Sequence, residues 1–197
     1  MENLTRKIAI ILAQTNHIKE EDIEICRYGI EIFILSVAEY AAVIVASILM
    51  GIFKETVLFL CAFLPIRIYG GGYHADTRLR CFLILVFVYI LFSAALYSRF
   101  LYSCEYLIAA IPLFTMAAVS AWAPLTGKSV NKRERRFYRR ISLCTAAVEL
   151  IILISAVAFD FYGIYAYTIG LGAFTAFASL SAGKIKSFIR EKKNDIN

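Results

Sequence analysis

The chain has too few charged residues, and too many apolar ones, to fold as a soluble domain. Only 18% of its 197 residues are Asp, Glu, Lys or Arg, 60% are hydrophobic, and the mean hydropathy is +0.70. Soluble domains carry about 25% charged residues. The composition therefore excludes a soluble domain of this size and indicates an integral membrane protein.

Other features are missing too, and each absence excludes a class of protein. The five cysteines include no CxxC pair, and their odd number argues against a disulfide framework. The chain has only two histidines, and one His with one Cys falls short of the three or four ligands of a zinc site, so neither metal nor cofactor is expected. The first residues lack an apolar run followed by a small-residue cleavage site, which makes a removable signal peptide unexpected.

The hydrophobic segments predict an all-α polytopic membrane bundle of about six transmembrane helices. Residues 3–15 are too short to cross a bilayer and predict an interfacial amphipathic helix. A solvated connection around His17 follows it. The second span has only about 14 residues, so we expect the loop after it to be partly sunk into the membrane. The six expected spans are 30–50, 55–68, 81–98, 103–122, 141–159 and 162–181.

No Ser/Gly/Pro-rich linker and no internal repeat divides the chain, so residues 1–197 are expected to form a single integral membrane domain. Residues 1–28 are its cytoplasmic or interfacial N-terminal segment, 30–181 the bundle, and 182–197 a basic cytoplasmic tail. Glu39 lies near the middle of the first span. It should face the bundle interior and be neutral or paired, because a carboxylate facing lipid would cost several kcal/mol.

The basic residues predict how the bundle is oriented. Six spans put the N-terminus, the 67–80 loop, the 128–140 loop and the C-terminus on one side of the membrane. These segments hold 19 of the 21 Lys and Arg residues. By the positive-inside rule that side is cytoplasmic. The net charge of +6 is therefore a signal of topology, and nucleic-acid binding is not expected.

One polar stretch, residues 67–81 with the sequence RIYGGGYHADTRLRC, interrupts the apolar chain. Its three glycines permit an open turn, and Asp76 or Thr77 is a suitable N-cap for the apolar helix that follows. Cys81 then lies about one turn inside a helix N-terminus, where the macrodipole favours the thiolate. His74 can act as its base only from a preceding loop, since continuous helix would separate the pair by about 10 Å.

Arg67, the glycines ending at Gly72, His74 and Cys81 resemble the signature of the accessory gene regulator B (AgrB) family, membrane cysteine endopeptidases that process quorum-sensing propeptides. The resemblance covers most of the chain and includes Ala123-Pro124 and Asn131-Lys132. It implies that His74 and Cys81 are catalytic. It also implies support by Gly71, by Gly72 and by Arg67, which would hold a substrate carboxylate or the loop itself. Asp76 is either a third, orienting member of the site or only a helix cap.

The resemblance further implies a reaction and a partner. An AgrD-like propeptide would lose its C-terminal tail through an acyl-enzyme thioester and close into a thiolactone or lactone. Its acidic tail would be attracted by basic residues of the 128–140 segment, which otherwise anchor lipid headgroups: Lys132, Arg135, Arg136, Arg139 and Arg140. A small peptide exporter and a non-catalytic membrane scaffold are the alternatives. The oligomeric state stays open, with a homodimer among the options.

The orientation gives a first testable prediction. In intact oriented cells a membrane-impermeant maleimide should not reach Cys81, because the charge distribution puts that residue on the cytoplasmic side. Labelling should appear once the membrane is opened. Labelling of Cys81 from outside would contradict the predicted topology.

Overall fold

The computed structural model describes residues 2–15, 23–73, 77–125 and 131–194, and these ranges are almost entirely helical. The all-α prediction is confirmed. The predicted connection around His17 lies outside the described residues. The seven α-helices of the described part are α1 (Glu2–Gln14), α2 (Ile23–Leu49), α3 (Phe53–Pro65), α4 (Arg78–Ser98), α5 (Glu105–Trp122), α6 (Lys132–Ala158) and α7 (Ile164–Asn194).

Five helices, α2, α4, α5, α6 and α7, are long and apolar enough to cross a membrane. Helix α3 has 13 residues and is the short segment that the sequence predicts. It continues into a π-helical turn, Ile66–Gly70, of five residues. At the α-helical rise the two together reach about 27 Å, close to the thickness of a hydrocarbon core. A sixth crossing therefore stays a prediction.

The chain divides into two compact units, Met1–Gly51 and Ile52–Asn197, and each is described by itself. In the first unit α1 packs on α2. Arg27 pairs with Glu24 at 2.8 Å and with Glu31 at 3.8 Å, so the charge of Glu31 has a cationic partner. Glu39, farther along α2, is half-buried.

In the second unit α5, α6 and α7 form the centre of the bundle. The Thr115 hydroxyl of α5 donates to the Ala173 carbonyl of α7 at 3.3 Å, so the two helices approach closely. Helix α6 runs antiparallel to α5, and its Leu153 is fully buried in a cluster with Ala109 and Ala166. This cluster joins the start of α5, the end of α6 and the start of α7. The start of α6 and the end of α7 therefore lie together at the other end of the unit.

Helices α3 and α4 complete the second unit. A Cβ on Gly172 of α7 would lie 2.6 Å from the Ala62 Cβ, so glycine lets α3 pack directly on α7. Phe59 of α3 stacks on Phe92 of α4 with ring centroids 4.2 Å apart. The Tyr167 hydroxyl of α7 donates to the Ala95 carbonyl of α4 at 3.2 Å.

Two segments predicted as a loop and a tail are helical. Helix α6 begins at Lys132, nine residues before the predicted span, because Asn131 and Glu134 form a capping box and Lys and Arg are good helix formers. Residues 128–130 of that predicted loop lie outside the described residues. Helix α7 likewise continues to Asn194 through most of the predicted tail. Hydropathy locates only the apolar part of a helix. Helix α6 starts before its apolar part, and α7 ends after its own.

Candidate active site

The glycine run, Gly70 to Gly72, begins at the last residue of the π-helical turn that follows α3. It is buried in the second unit and does not extend into solvent. The Leu125 N–H donates to the Gly70 carbonyl at 3.0 Å, and Gly71 pairs with Leu125. Gly71 has φ +81°, and a Cβ there would lie 2.8 Å from the Leu125 carbonyl oxygen. Both the dihedral and the contact require glycine at this position. The chain thus leaves the π-helical turn along a path fixed by the segment after α5.

Tyr73, the residue before His74, is held through both of its backbone polar groups. Its N–H donates to the Ser179 carbonyl of α7 at 2.9 Å, and its carbonyl accepts a short hydrogen bond from the Arg67 guanidinium. The Lys186 ammonium lies 5.1 Å from the centre of the Tyr73 ring. The sequence leaves two roles open for Arg67, binding a substrate carboxylate or holding the loop. The hydrogen bond to the Tyr73 carbonyl corresponds to the second role.

Cys81 is the fourth residue of α4 and is half-buried. Thr77 is the N-cap, with its side chain accepting from the Arg80 N–H at 3.4 Å, and the Cys81 N–H donates to the Thr77 carbonyl at 3.1 Å. The predicted place of Cys81, one turn inside a helix N-terminus, is therefore confirmed. Of the two predicted caps, Asp76 and Thr77, the structure uses Thr77.

His74 and Asp76 lie outside the described residues. The described residues on either side of them, Tyr73 and Thr77, are joined by four peptide units, which span at most about 14 Å. Tyr73 is fixed on α7, and Thr77 begins α4. The anchored glycine run and the start of α4 are therefore at most about 14 Å apart at Tyr73 and Thr77.

The other four cysteines have different surroundings. Cys61 lies on α3 and Cys144 inside α6, both away from a helix start. Cys26 is the fourth residue of α2 in the first unit, which is the place that Cys81 has in α4, but the acidic Glu24 lies in the same first turn. Cys104 directly precedes α5 and so does stand at a helix N-terminus, which the sequence interpretation overlooked. The adjacent carboxylate of Glu105 offsets the positive end of that helix. Cys104 is exposed, at the opposite end of the unit from the glycine run.

The basic residues proposed to bind substrate form one face of α6. Their spacing, i, i+3, i+4, i+7 and i+8, is the pattern that puts side chains on one side of a helix. All five are exposed: Lys132, Arg135, Arg136, Arg139 and Arg140. The buried side of the same helix contacts the glycine run, since the Ser142 hydroxyl lies 3.2 Å from where a Gly70 Cβ would be.

Arg139 has a structural contact that its neighbours on this face are not seen to make. Its guanidinium donates a short hydrogen bond to the Ser120 carbonyl in the last turn of α5. The last four carbonyls of a helix have no partner within the helix, so such a cation stabilises the helix end. The sequence grouped Arg139 with the substrate-binding residues and gave no sign of this role.

The fold and the site define a polytopic helical membrane protein with a half-buried cysteine one turn inside a helix and a buried glycine run that precedes this helix in the sequence. The family model described as Accessory gene regulator B matches residues 5–181, and the chain belongs to this AgrB family. It thereby has a role in agr quorum-sensing peptide processing, with an AgrD propeptide as the partner that the family implies.

Relatives agree with this assignment. The chain is 25% identical over 159 residues to an AgrB-like protein of Clostridium acetobutylicum, covering 77% of this chain and 75% of the relative. It is 30% identical over 90 residues to one of Listeria monocytogenes and 31% identical over 90 residues to one of Listeria welshimeri. The Listeria matches cover 45% of this chain and 44% of each relative, less than half of their length. No solved structure gives a significant match.

The contact of Arg139 gives a second prediction. Arg139→Gln should lower the free energy of unfolding by about 1 kcal/mol, because it removes a charged donor from the end of α5. Arg140→Gln removes the same charge from the same exposed face and should change that energy by less than about 0.5 kcal/mol. Unfolding in mixed micelles, followed by circular dichroism, measures both. Equal effects of the two substitutions would contradict the structural role of Arg139.

Proposed function

We propose that the protein is a membrane cysteine endopeptidase that removes the C-terminal tail of an AgrD-like propeptide and enables its cyclisation. The observation that carries the proposal is the position of Cys81 in the first turn of α4, eight residues after the anchored residue Tyr73 in the sequence. Family membership supports the substrate class. The residues proposed to react are His74 and Cys81.

In the first step the His74 imidazole takes the Cys81 proton, and the thiolate attacks the carbonyl carbon of the scissile peptide bond. The C–N bond then breaks, His74 returns the proton to the leaving amine, and the tail departs. An acyl-enzyme thioester on Cys81 remains. An ordinary thiol is only a few per cent ionised at neutral pH, so the reaction needs the base and the positive helix end together.

In the second step an internal cysteine thiol of the bound peptide attacks the thioester carbonyl. A new S–C bond closes the ring as a thiolactone, the Cys81 sulfur leaves, and the proton from the peptide thiol returns to it through His74. A serine hydroxyl in the peptide would close a lactone by the same exchange. Ring closure competes with hydrolysis, and the burial of the adjacent glycine run supports a site from which water is restricted.

The supporting residues have distinct proposed roles. Arg67 holds the loop through the Tyr73 carbonyl, while Gly71 and Gly72 allow the loop to lie against its neighbours. Asp76 would orient the His74 imidazole. Arg80, exposed on the first turn of α4, adds positive charge near Cys81.

The proposed location is the bacterial plasma membrane, with the catalytic loop and both termini cytoplasmic. Its support is the clustering of basic residues at one end of the second unit. The basic start of α6 and the basic end of α7 lie at the end that contains the glycine run, while Lys54 and Arg99 lie at the other end. This asymmetry follows the positive-inside rule.

The basic face of α6 is proposed to attract the acidic tail of the propeptide. The face is exposed on the helix whose buried side contacts the glycine run at Ser142, so its positive charge lies at the same end of the unit as the proposed site. Because Arg139 also supports α5, Lys132, Arg135, Arg136 and Arg140 are the residues proposed to act mainly on the substrate.

A peptide exporter has less support. In that alternative Glu39, Glu149 and Arg67 would line one path. Arg67 instead donates to the Tyr73 carbonyl. Glu149 is buried in α6, with 3% of its surface exposed.

The catalytic assignment predicts that Cys81→Ser and His74→Ala each abolish precursor cleavage in liposomes, because each removes one partner of the proposed pair. Cys61→Ser and Cys104→Ser should cleave normally. Cys104 is the sharper control, since it also stands at a helix start. Cleavage by purified Cys81→Ser protein at the rate of the unaltered protein would refute the endopeptidase and leave transport or scaffolding.

Substrate capture makes a separate kinetic prediction. Neutralising Arg135, Arg136 and Arg140 to Gln should raise KM while kcat changes little, and the effect should shrink as salt rises, because exposed charges are screened over about 8 to 10 Å at physiological ionic strength. The measurement uses only correctly inserted protein. An unchanged KM at low salt would leave these residues as membrane anchors alone.

A further inference from the structure

Gly183 of α7 lies directly against the backbone of the glycine run. A Cβ on Gly183 would be 2.5 Å from the carbonyl carbon of Gly72, 2.8 Å from its oxygen and 2.9 Å from the Tyr73 nitrogen. These are main-chain atoms, which cannot rotate aside as the end of a long side chain can. Any larger residue at 183 must displace the loop or the helix.

On the loop side of this contact, Gly72 lies equally close to α7. Gly72 has φ +149°, and a Cβ there would lie 2.5 Å from the Ser179 hydroxyl and 3.2 Å from the Ser179 carbonyl oxygen. That carbonyl is also the acceptor for the Tyr73 N–H at 2.9 Å. A glycine on each side brings the two main chains close enough for this hydrogen bond.

We propose that Gly183 is a positioning residue for the active-site loop and that it acts together with the Ser179 carbonyl. Helix α7 holds the main chain of Gly72 and Tyr73, the two residues that directly precede His74 in the sequence. Arg67 also holds this segment, through the Tyr73 carbonyl. The inference rests on the proposed endopeptidase function, which it extends to a helix that contributes no reacting group.

The consequence for the reaction is large because proton transfer depends on distance. A misplacement of about 1 Å in a catalytic group can cost about 100-fold in rate. A Cβ at 2.5 Å from a carbonyl carbon requires a shift of about that size to reach ordinary van der Waals contact. Gly183→Ala should therefore lower kcat by about 100-fold while KM changes little, since the basic face of α6 is untouched.

The matched control is Gly29→Ala. Gly29 also lies inside a helix, α2, but a Cβ there meets no atom within 4 Å. Alanine favours a helix over glycine by about 1 kcal/mol in both cases. Helix propensity therefore predicts no loss in either variant, and a loss confined to Gly183→Ala comes from the loop contact.

Two readouts separate positioning from a general loss of structure. The first is the split between kcat and KM, measured on the monodisperse, inserted fraction in liposomes. The second is the rate of Cys81 alkylation by iodoacetamide at neutral pH, in protein whose other cysteines are serine. Gly183→Ala should slow alkylation as much as His74→Ala does, whereas Gly29→Ala should leave it unchanged.

A milder pair of variants decides the matter if Gly183→Ala yields no folded protein. Lys186→Met removes the ammonium over the Tyr73 ring, and Lys184→Met removes an equal charge two residues earlier. A cation–π contact of about 0.5 to 1 kcal/mol corresponds to a fall in kcat of about two- to fivefold. That fall is expected for Lys186→Met and not for Lys184→Met.

The outcomes are distinct. If Gly183→Ala folds, a normal kcat and a normal rate of alkylation would overturn the positioning role. If it does not fold, an equal kcat for Lys186→Met and Lys184→Met would overturn it. In both cases the proposed endopeptidase function would stand. Failure of both the unaltered protein and Gly29→Ala to cleave the precursor would instead overturn the proposed function.

Discussion

The structure of the second unit depends on one constraint, that irregular main chain in a membrane protein must have its polar groups satisfied by protein. Unpaired N–H and C=O groups facing lipid cost several kcal/mol each. The glycine run meets the constraint with three separate partners. Leu125 donates to Gly70, Arg67 donates to Tyr73, and the Tyr73 N–H donates to Ser179. Glycine is what allows these partners to come close enough.

This requirement explains why distant parts of the chain meet at one end of the bundle. Helix α7 must bring Ser179 to the loop, and the segment after α5 must bring Leu125. Once they do, the basic start of α6 and the basic end of α7 surround the same region. Arg139 then stabilises the end of α5 as well as contributing charge. The meeting of these segments at one end of the second unit thus anchors the glycine run and gathers basic residues at the same end.

The sequence was sufficient to predict what depends on local pattern. Apolar runs located the membrane helices, and a cap before an apolar run located Cys81 in the first turn of α4. Helix ends were less predictable: α6 starts at a capping box in a polar segment, where hydropathy carries no signal. The single-domain prediction and the roles of His74, Asp76 and the basic residues stay predictions.

The loop contacts could not be predicted, because the residues that make them are far apart in the chain. Gly183 is more than 100 residues from Gly72 and reads, in the sequence, as a glycine inside a polar helix end. One signal was available. Gly172, Ala176, Ser179 and Gly183 place small residues on one face of α7, a pattern that lets helices and main chain approach closely in membranes.

The most direct test of the account is the covalent intermediate on Cys81. An AgrD-like precursor whose ring-forming Cys or Ser is replaced by alanine can acylate the enzyme but cannot cyclise, so the thioester should accumulate. Intact mass spectrometry should then find an adduct equal in mass to the precursor without its tail, attached at Cys81 and released by hydroxylamine. Cleavage of the unaltered precursor with no adduct, or with an adduct on another residue, would contradict the account.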